Sequence, residues 1–207
     1  VELAGRIEKG EDYSLLEGLV LKNNGKFVAN KPPPLILDLD KQLFDNFSLE
    51  LGKEGLKCKF EHFDVTALEE SEMLVENIIS KYEVPDFFIN TSYPRTEEWF
   101  NSSFSEITLS NFIENLNIHL GSYVWIAKLF ADRMVRSKKK GSIVLTSSLY
   151  GEKAQDMSIY EGTNLKENMT YPVIKAGINN FVRQSAAYYG QYNIRVNAVS
   201  PGGIEGP

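Results

Sequence analysis

Short apolar runs alternate with amphipathic stretches from about residue 47 to the end of the chain. Strand-like runs lie at 57–66, 85–90, 142–146 and 193–200, and apolar residues recur at helical spacing over 74–82, 109–135 and 171–189. Strands that alternate with helices of this length are typical of βα units around a parallel sheet. The pattern therefore predicts an α/β fold with a doubly wound parallel sheet.

The first 45 residues have a different pattern. Residues 18–29 contain two β-prone runs joined at Asn24-Gly25, which predicts a β-hairpin. A stiff connector, Pro32-Pro33-Pro34, follows it. We therefore divide the chain into an atypical N-terminal segment, 1–45, and an α/β domain, 46–207.

Composition narrows the range of possible functions and partners. The 207 residues carry 22 Lys and Arg against 28 Asp and Glu, and this net charge of −6 disfavours nucleic acid as a partner. The single cysteine, Cys58, cannot form an intrachain disulfide or a cysteine-rich metal site, so we predict no metal and a reducing, cytoplasmic location. No apolar run approaches the roughly 18 residues of a membrane span, which predicts no membrane contact.

One pair of residues has the spacing needed for proton transfer. A tyrosine phenol has an ordinary pKa near 10, too high for ready proton exchange at neutral pH. Lys175 follows Tyr171 by four residues, one helical turn, and an ammonium at that distance favours the phenolate. The pair is therefore a candidate acid/base group.

Two further segments flank this pair along the chain: Ile143 to Ser148, and the run from Asn193 through Pro201-Gly202-Gly203. The ordered set resembles the short-chain dehydrogenase/reductase family over residues 47–207. That resemblance implies a partial Rossmann-like domain that transfers a hydride between NAD or NADP and a secondary alcohol or ketone. In the family pattern, Tyr171 is the acid/base, Lys175 also holds the cofactor ribose, and Ser148 hydrogen-bonds the substrate oxygen.

The same resemblance assigns further cofactor contacts. Asp64 and Val65 match the segment whose aspartate meets the adenine, although a helix N-terminal charge explains Asp64 nearly as well. Asn90 retains the first residue of the family's Asn-Asn-Ala-Gly turn. Pro201 and Gly202 match the turn under the nicotinamide.

Asn117 matches the catalytic asparagine of the family, which positions a lysine and a proton-relay water. Its distance to Gly121 is one residue longer than the pattern, so either Asn117 is misassigned or a helix distortion absorbs the extra residue. We interpret the nearby His119 as a packed helix histidine.

The glycine-rich fingerprint of the family does not precede Asp64, and no residue that would choose between NAD and NADP can be located from the sequence. The predicted sheet is thus incomplete at its start, and also at its end, after Pro201-Gly202-Gly203. Residues 1–45 are weakly similar to a linker of B12-binding radical SAM proteins, but a radical SAM cluster needs three cysteines.

Three functions remain open. The first is the oxidoreductase, acting on a small molecule that is sugar-related if residues 160–164, in the long 150–171 connection, recognise hydroxyl groups. A solvated loop explains that connection equally well. The second is a cofactor-free, inactive assembly partner. The third is a nucleotide-sugar dehydratase or epimerase. The resemblance also implies a homo-oligomer formed through helices 109–135 and 171–189.

Overall fold

A computed structural model describes residues 20–23, 26–29, 35–53, 55, 57–163 and 165–202. These residues belong to two compact units, one ending at Asp64 and the other beginning at Val65.

The first unit contains the predicted hairpin. Strand β1, Val20–Asn23, pairs antiparallel with β2, Lys26–Ala29, with Val20 opposite Ala29. The hairpin prediction is confirmed for both strands, while the Asn24-Gly25 turn lies outside the described residues.

The first unit also contains a βαβ element that the sequence did not reveal. Strand β3, Leu35–Asp38, pairs parallel with β4, Lys59–His62, and helix α1, Lys41–Lys53, connects them. The helix begins where the Asp40 carboxylate accepts hydrogen bonds from the backbone N–H groups of Gln42 and Leu43. The predicted division near residue 45 falls inside α1. The strand predicted over 57–66 is shorter, since β4 ends at His62.

The second unit alternates helices and strands. Its longer elements are α2 (Ser71–Tyr82), β5 (Phe87–Asn90), α3 (Leu109–Asn115), α4 (Ser122–Arg136), β6 (Gly141–Thr146), α5 (Thr170–Tyr189) and β7 (Ile194–Val199). A π-helical segment, Leu116–Gly121, joins α3 to α4, and short 3₁₀ turns lie at Leu68–Glu70, Glu97–Asn101, Leu149–Gly151, Met157–Tyr160 and Gly190–Tyr192. The helix predicted over 109–135 is therefore interrupted.

Strands β5, β6 and β7 form a parallel sheet with β6 in the centre. The central strand buries Ile143 and Leu145 in the hydrophobic core. Helix α5 adds Ile174 and Ile178 to the same core, and α4 adds Tyr123. The α/β prediction is confirmed, and the sheet places the carboxyl ends of its three strands at one edge.

Candidate functional site

Polar side chains follow the strands at this edge of the sheet. Asn90 ends β5, and Ser147 and Ser148 directly follow Thr146, the last residue of β6. The backbone N–H of Ser147 donates to the carbonyl oxygen of Val199, which ends β7 (2.7 Å). Ligands of open parallel sheets bind outside the carboxyl ends of the strands, so this edge is the candidate site.

Lys175 is the buried cation of the site, with only 2% of its surface exposed. Its Nζ donates a hydrogen bond to the carbonyl oxygen of Thr146 (3.0 Å) and lies 3.4 Å from Nε2 of His119. Burial disfavours the ammonium and lowers the pKa of Lys175 from 10.5 to about 8.

Three tyrosine rings surround this ammonium. Nζ lies 5.0 Å from the ring centroid of Tyr123, 5.6 Å from that of Tyr171 and 5.7 Å from that of Tyr93. Cations are attracted to aromatic rings at such distances, which offsets part of the cost of burial. Burial, followed by the nearby Tyr171, raises the pKa of Tyr93 to about 12, so that phenol stays protonated at neutral pH.

Tyr171 lies in the first turn of α5, as its sequence predicts. Its backbone N–H donates to Oδ1 of Asn168 (2.7 Å), which fixes the helix start. The half-buried ring packs edge-on against Tyr93 and Trp99, at centroid distances of 6.1 and 6.2 Å. Tyr171 and Lys175 therefore come together as the spacing indicates.

The two serines after β6 differ in their contacts. The Ser147 hydroxyl donates to the backbone carbonyl of Lys175 (3.0 Å) and thereby joins the strand end to α5. Ser148 is also buried, and its Oγ accepts a hydrogen bond from the backbone N–H of Tyr150 (3.2 Å). That bond leaves the Ser148 hydroxyl hydrogen available to another acceptor.

Asn117 does not reach Lys175. Its side chain is exposed, and hydrogen bonds within the described residues connect Lys175 to Thr146 and His119 instead. The extra residue before Gly121 is absorbed by the π-helical turn, since π turns accommodate one residue more than α turns. A helix distortion of the kind that the sequence allowed for is therefore present, but Asn117 is exposed and it is His119 that lies beside Lys175.

Asn90 and the Pro201-Gly202 pair, also predicted to contact the cofactor, lie at or just after the ends of β5 and β7. Oδ1 of the buried Asn90 accepts hydrogen bonds from the N–H and hydroxyl of Ser92, and its Nδ2 has no partner among the described residues. The carbonyl of Pro201 accepts from the N–H of Leu149 (2.9 Å), and Gly202 is exposed.

Asp64 ends the first unit, two residues after β4, and Val65 begins the second. Their assignment to the cofactor stays a prediction, as does that of Pro201 and Gly202.

Sequence reasoning missed two residues. His119 gives no signal of its role, because a histidine on an apolar helix face is ordinarily packed. Asp38 ends β3 and is exposed, and the run Leu35-Ile36-Leu37 before it was the available signal. An acidic residue at the end of a strand in a βαβ unit is one that can bind the ribose of NAD.

Within the described ranges, no three His, Cys, Asp or Glu side chains cluster in a way that could hold a metal ion. Among the same residues, no helix is both long and apolar enough to cross a bilayer.

Comparisons with known proteins show to which family this chain belongs. Residues 35–207 match a family model described as enoyl-(acyl carrier protein) reductase. The chain is 30% identical over 180 residues to post-translational flagellin modification protein A of Campylobacter coli, covering 86% of this chain and 70% of that protein. It is 25% identical over 193 residues to a 7alpha-hydroxysteroid dehydrogenase of Bacteroides fragilis, covering 92% and 69%.

Among solved structures, NAD+-bound xylitol dehydrogenase matches with a TM-score of 0.67 and 23% identity, covering 82% of this chain and 60% of that one. The chain thus spans less than two thirds of that structure's length. The structural likeness defines a Rossmann-like α/β protein. The family match begins at β3 and includes the whole βαβ element of the first unit. With the 30% identity to the flagellin modification protein, it shows that the chain belongs to the short-chain dehydrogenase/reductase family.

Proposed function

We propose that this protein is an NAD-dependent oxidoreductase that interconverts a secondary alcohol and a ketone. One observation carries the proposal: the buried ammonium of Lys175 lies 5.6 Å from the ring of Tyr171, at the carboxyl end of the central strand. The positive charge held there stabilises the negative charge that develops on the Tyr171 oxygen when its proton is transferred.

In the reducing direction, Oη of Tyr171 donates its proton to the carbonyl oxygen of the substrate. In the oxidising direction, the phenolate accepts the proton of the alcohol. The hydroxyl of Ser148 donates a hydrogen bond to the same substrate oxygen and stabilises the negative charge that develops on it. The nicotinamide cofactor supplies or accepts the hydride when it is bound.

The described residues fit the nicotinamide side of such a cofactor. Nδ2 of Asn90 is a buried donor without a partner among them, at the strand end where dinucleotides bind. The Lys175 ammonium has three hydrogens, and Thr146 and His119 account for two of them. Asn90 and Lys175 would therefore contact the ribose, and Pro201 would line the site.

Asp38 supports NAD as the preferred cofactor. Its carboxylate ends a parallel strand and accepts a hydrogen bond from the N–H of Asp40 (3.0 Å). In a βαβ unit that binds a dinucleotide, a carboxylate at the end of a strand accepts hydrogen bonds from ribose hydroxyls, whereas it repels the 2′-phosphate of NADP.

A hydroxylated, sugar-related substrate is supported by the segment between β6 and α5. The hydroxyls of Tyr150 and Tyr160 share a 2.6 Å hydrogen bond, which, with burial, raises the pKa of Tyr150. Two phenols held together offer donors and acceptors that match a polyol. On a substrate panel, Tyr160→Phe is expected to lower kcat/KM for a polyol about tenfold and to leave a simple apolar ketone unaffected. Equal loss on both substrates would contradict this assignment.

Self-association through α4 and α5 is also part of the proposal. Trp125, Val173 and Tyr188 are large apolar side chains exposed on these helices. Such residues favour burial against a second copy. Light scattering should give a multiple of the 23.4 kDa chain mass, and Trp125→Glu should reduce it. A monomer at micromolar concentration would contradict the oligomer.

The catalytic proposal is tested with purified protein in two steps. NADH titration should give a saturable fluorescence change, and Tyr171→Phe should lower kcat by at least a hundredfold without abolishing that change. Tyr192→Phe, an exposed tyrosine, is the matched control and should retain activity. If neither NADH nor NADPH binds and Tyr171→Phe changes nothing, the enzyme proposal fails, and the assembly-partner alternative is favoured.

A further inference from the structure

His119 is buried beside the cation of the site. None of its surface is exposed, and its Nε2 lies 3.4 Å from Nζ of Lys175. An ammonium can only donate hydrogen bonds, so Nε2 must accept, and the hydrogen of the neutral imidazole must then lie on Nδ1. The contact therefore requires one particular tautomer.

His119 lies inside the π-helical segment Leu116–Gly121, and side chains before and after it bond to the backbone. The Ser122 hydroxyl donates to the carbonyl of His119 (3.0 Å), and the buried Asn115, one turn earlier, bonds to the carbonyl of Asn111 (3.0 Å). Both contacts hold the backbone on either side of the extra residue. The exposed Asn117, in the same segment, is directed away from Lys175.

Aromatic groups enclose the imidazole on its other sides. Its centroid lies 5.2 Å from the ring of Tyr93, 5.5 Å from that of Tyr123 and 6.1 Å from that of Trp99. The titratable groups that face it are thus Lys175, Tyr93 and Tyr123. Nδ1 is buried without a partner among the described residues. The polar contact that distinguishes this ring from a packed hydrocarbon ring is therefore the one between Nε2 and Lys175.

We propose that His119 is a positioning residue, whose neutral Nε2 accepts a hydrogen bond from Lys175 and holds that ammonium next to Tyr171. The role rests on the proposed function, because Lys175 acts there by favouring the Tyr171 phenolate. Burial, followed by the charge of Lys175, lowers the pKa of His119 from 6.5 to about 3. The imidazole therefore remains an acceptor throughout the neutral range.

Imidazole ¹⁵N NMR tests the contact without reference to activity. The chain has two histidines, and His62, which is exposed, is assigned by His62→Gln. We expect His119 to keep its proton on Nδ1 from pH 5 to 8. In Lys175→Met, the acid titration of His119 should move to higher pH, because the neighbouring charge is gone. A proton on Nε2, or a doubly protonated ring at pH 6, would overturn the proposal.

Kinetics test the role. His119→Phe keeps an aromatic ring but removes the acceptor, so kcat should fall about tenfold to a hundredfold, as expected for a hydrogen bond to a charged group, with KM unchanged. The alkaline limit of kcat should also move to lower pH, since the ammonium has lost an acceptor. His119→Gln supplies an amide acceptor and should recover most of kcat and the original pH profile.

The matched variants separate positioning from packing. Equal loss of kcat in His119→Phe and His119→Gln, or a wild-type pH profile in His119→Phe, would overturn the positioning role. Circular dichroism of both variants identifies any loss that comes from misfolding. If the wild-type protein has no activity, only the proposed function is contradicted. The tautomer measured by NMR would still decide whether His119 accepts a hydrogen bond from Lys175.

Discussion

The Nζ atom of Lys175 donates a 3.0 Å hydrogen bond to the carbonyl oxygen of Thr146. Thr146 ends the central strand β6, and Lys175 lies in the second turn of α5. The bond therefore fixes the helix on the strand end and determines where Tyr171, one turn earlier, meets the site. This arrangement buries a positive charge among aromatic rings, and the unfavourable free energy of that burial can be measured.

Replacing Lys175 with methionine should change how stability depends on pH. The pKa of Lys175 is lowered to about 8 in the folded protein, against 10.5 when exposed. The penalty for burying the ammonium is therefore fully present below pH 8, at about 3 kcal/mol, and is relieved as the pH rises towards 10.5. The free energy of unfolding of Lys175→Met, relative to wild type, should accordingly decrease by about that amount between pH 7 and 10.5. Urea titrations at each pH measure it.

Lys140→Met is the control for this experiment, because Lys140 is exposed. Its difference from wild type should stay constant over the same range. A constant difference for Lys175→Met as well would show that the ammonium carries no burial penalty.

Acid should destabilise the protein through His119. The pKa of this imidazole is about 3 when folded and 6.5 when exposed, so the unfolded chain binds the extra proton between these values. Stability is unaffected above pH 6.5 and falls as the pH decreases towards 3, by up to about 5 kcal/mol. His119→Gln should remove this part of the acid sensitivity, and thermal unfolding at pH 7 and pH 4 compares the two proteins. His62→Gln should keep the acid sensitivity of the wild-type protein. If His119→Gln kept it as well, the assignment of this sensitivity to His119 would be wrong.

Gly151 allows the segment after β6 to approach α5. A Cβ on this residue would lie 2.7 Å from the carbonyl carbon of Lys175 and 2.8 Å from its oxygen. Backbone atoms of a helix cannot move aside without distorting it, so Gly151→Ala should lower the free energy of unfolding by about 1–3 kcal/mol. Gly190→Ala, where a Cβ meets nothing within 4 Å, should change stability by no more than about 0.5 kcal/mol. Comparable effects of the two substitutions would argue against the close approach.

Cofactor preference should depend on Asp38. Asp38→Ser removes the carboxylate at the end of β3, so NADPH should bind better relative to NADH, by at least about tenfold in the ratio of dissociation constants. Asp45→Ser, which removes an exposed carboxylate paired with Lys41 on α1, is the control and should leave the ratio unchanged. An unaltered ratio in Asp38→Ser would place cofactor discrimination elsewhere.

The sequence alone determined the parts of this protein that depend on local patterns. Short apolar runs predicted β5, β6 and β7, and helical spacing of apolar residues predicted α5, because buried strands and a helix with one buried face leave these patterns in the sequence. The four-residue spacing of Tyr171 and Lys175 predicted a pair on one helix face, and the hairpin followed from Asn24-Gly25 between two β-prone runs. In each case the information lies within a few residues of the element.

The tertiary structure decided what depends on distant neighbours. Strand β3 has only four residues and follows three prolines, so only its pairing with β4, more than 20 residues later, defines it. The sequence left open whether Asn117 or a helix distortion accounts for the extra residue before Gly121, and the structure has a π-helical turn there with His119 beside Lys175. The lowered pKa of Lys175 likewise comes from burial, which no spacing in the sequence expresses.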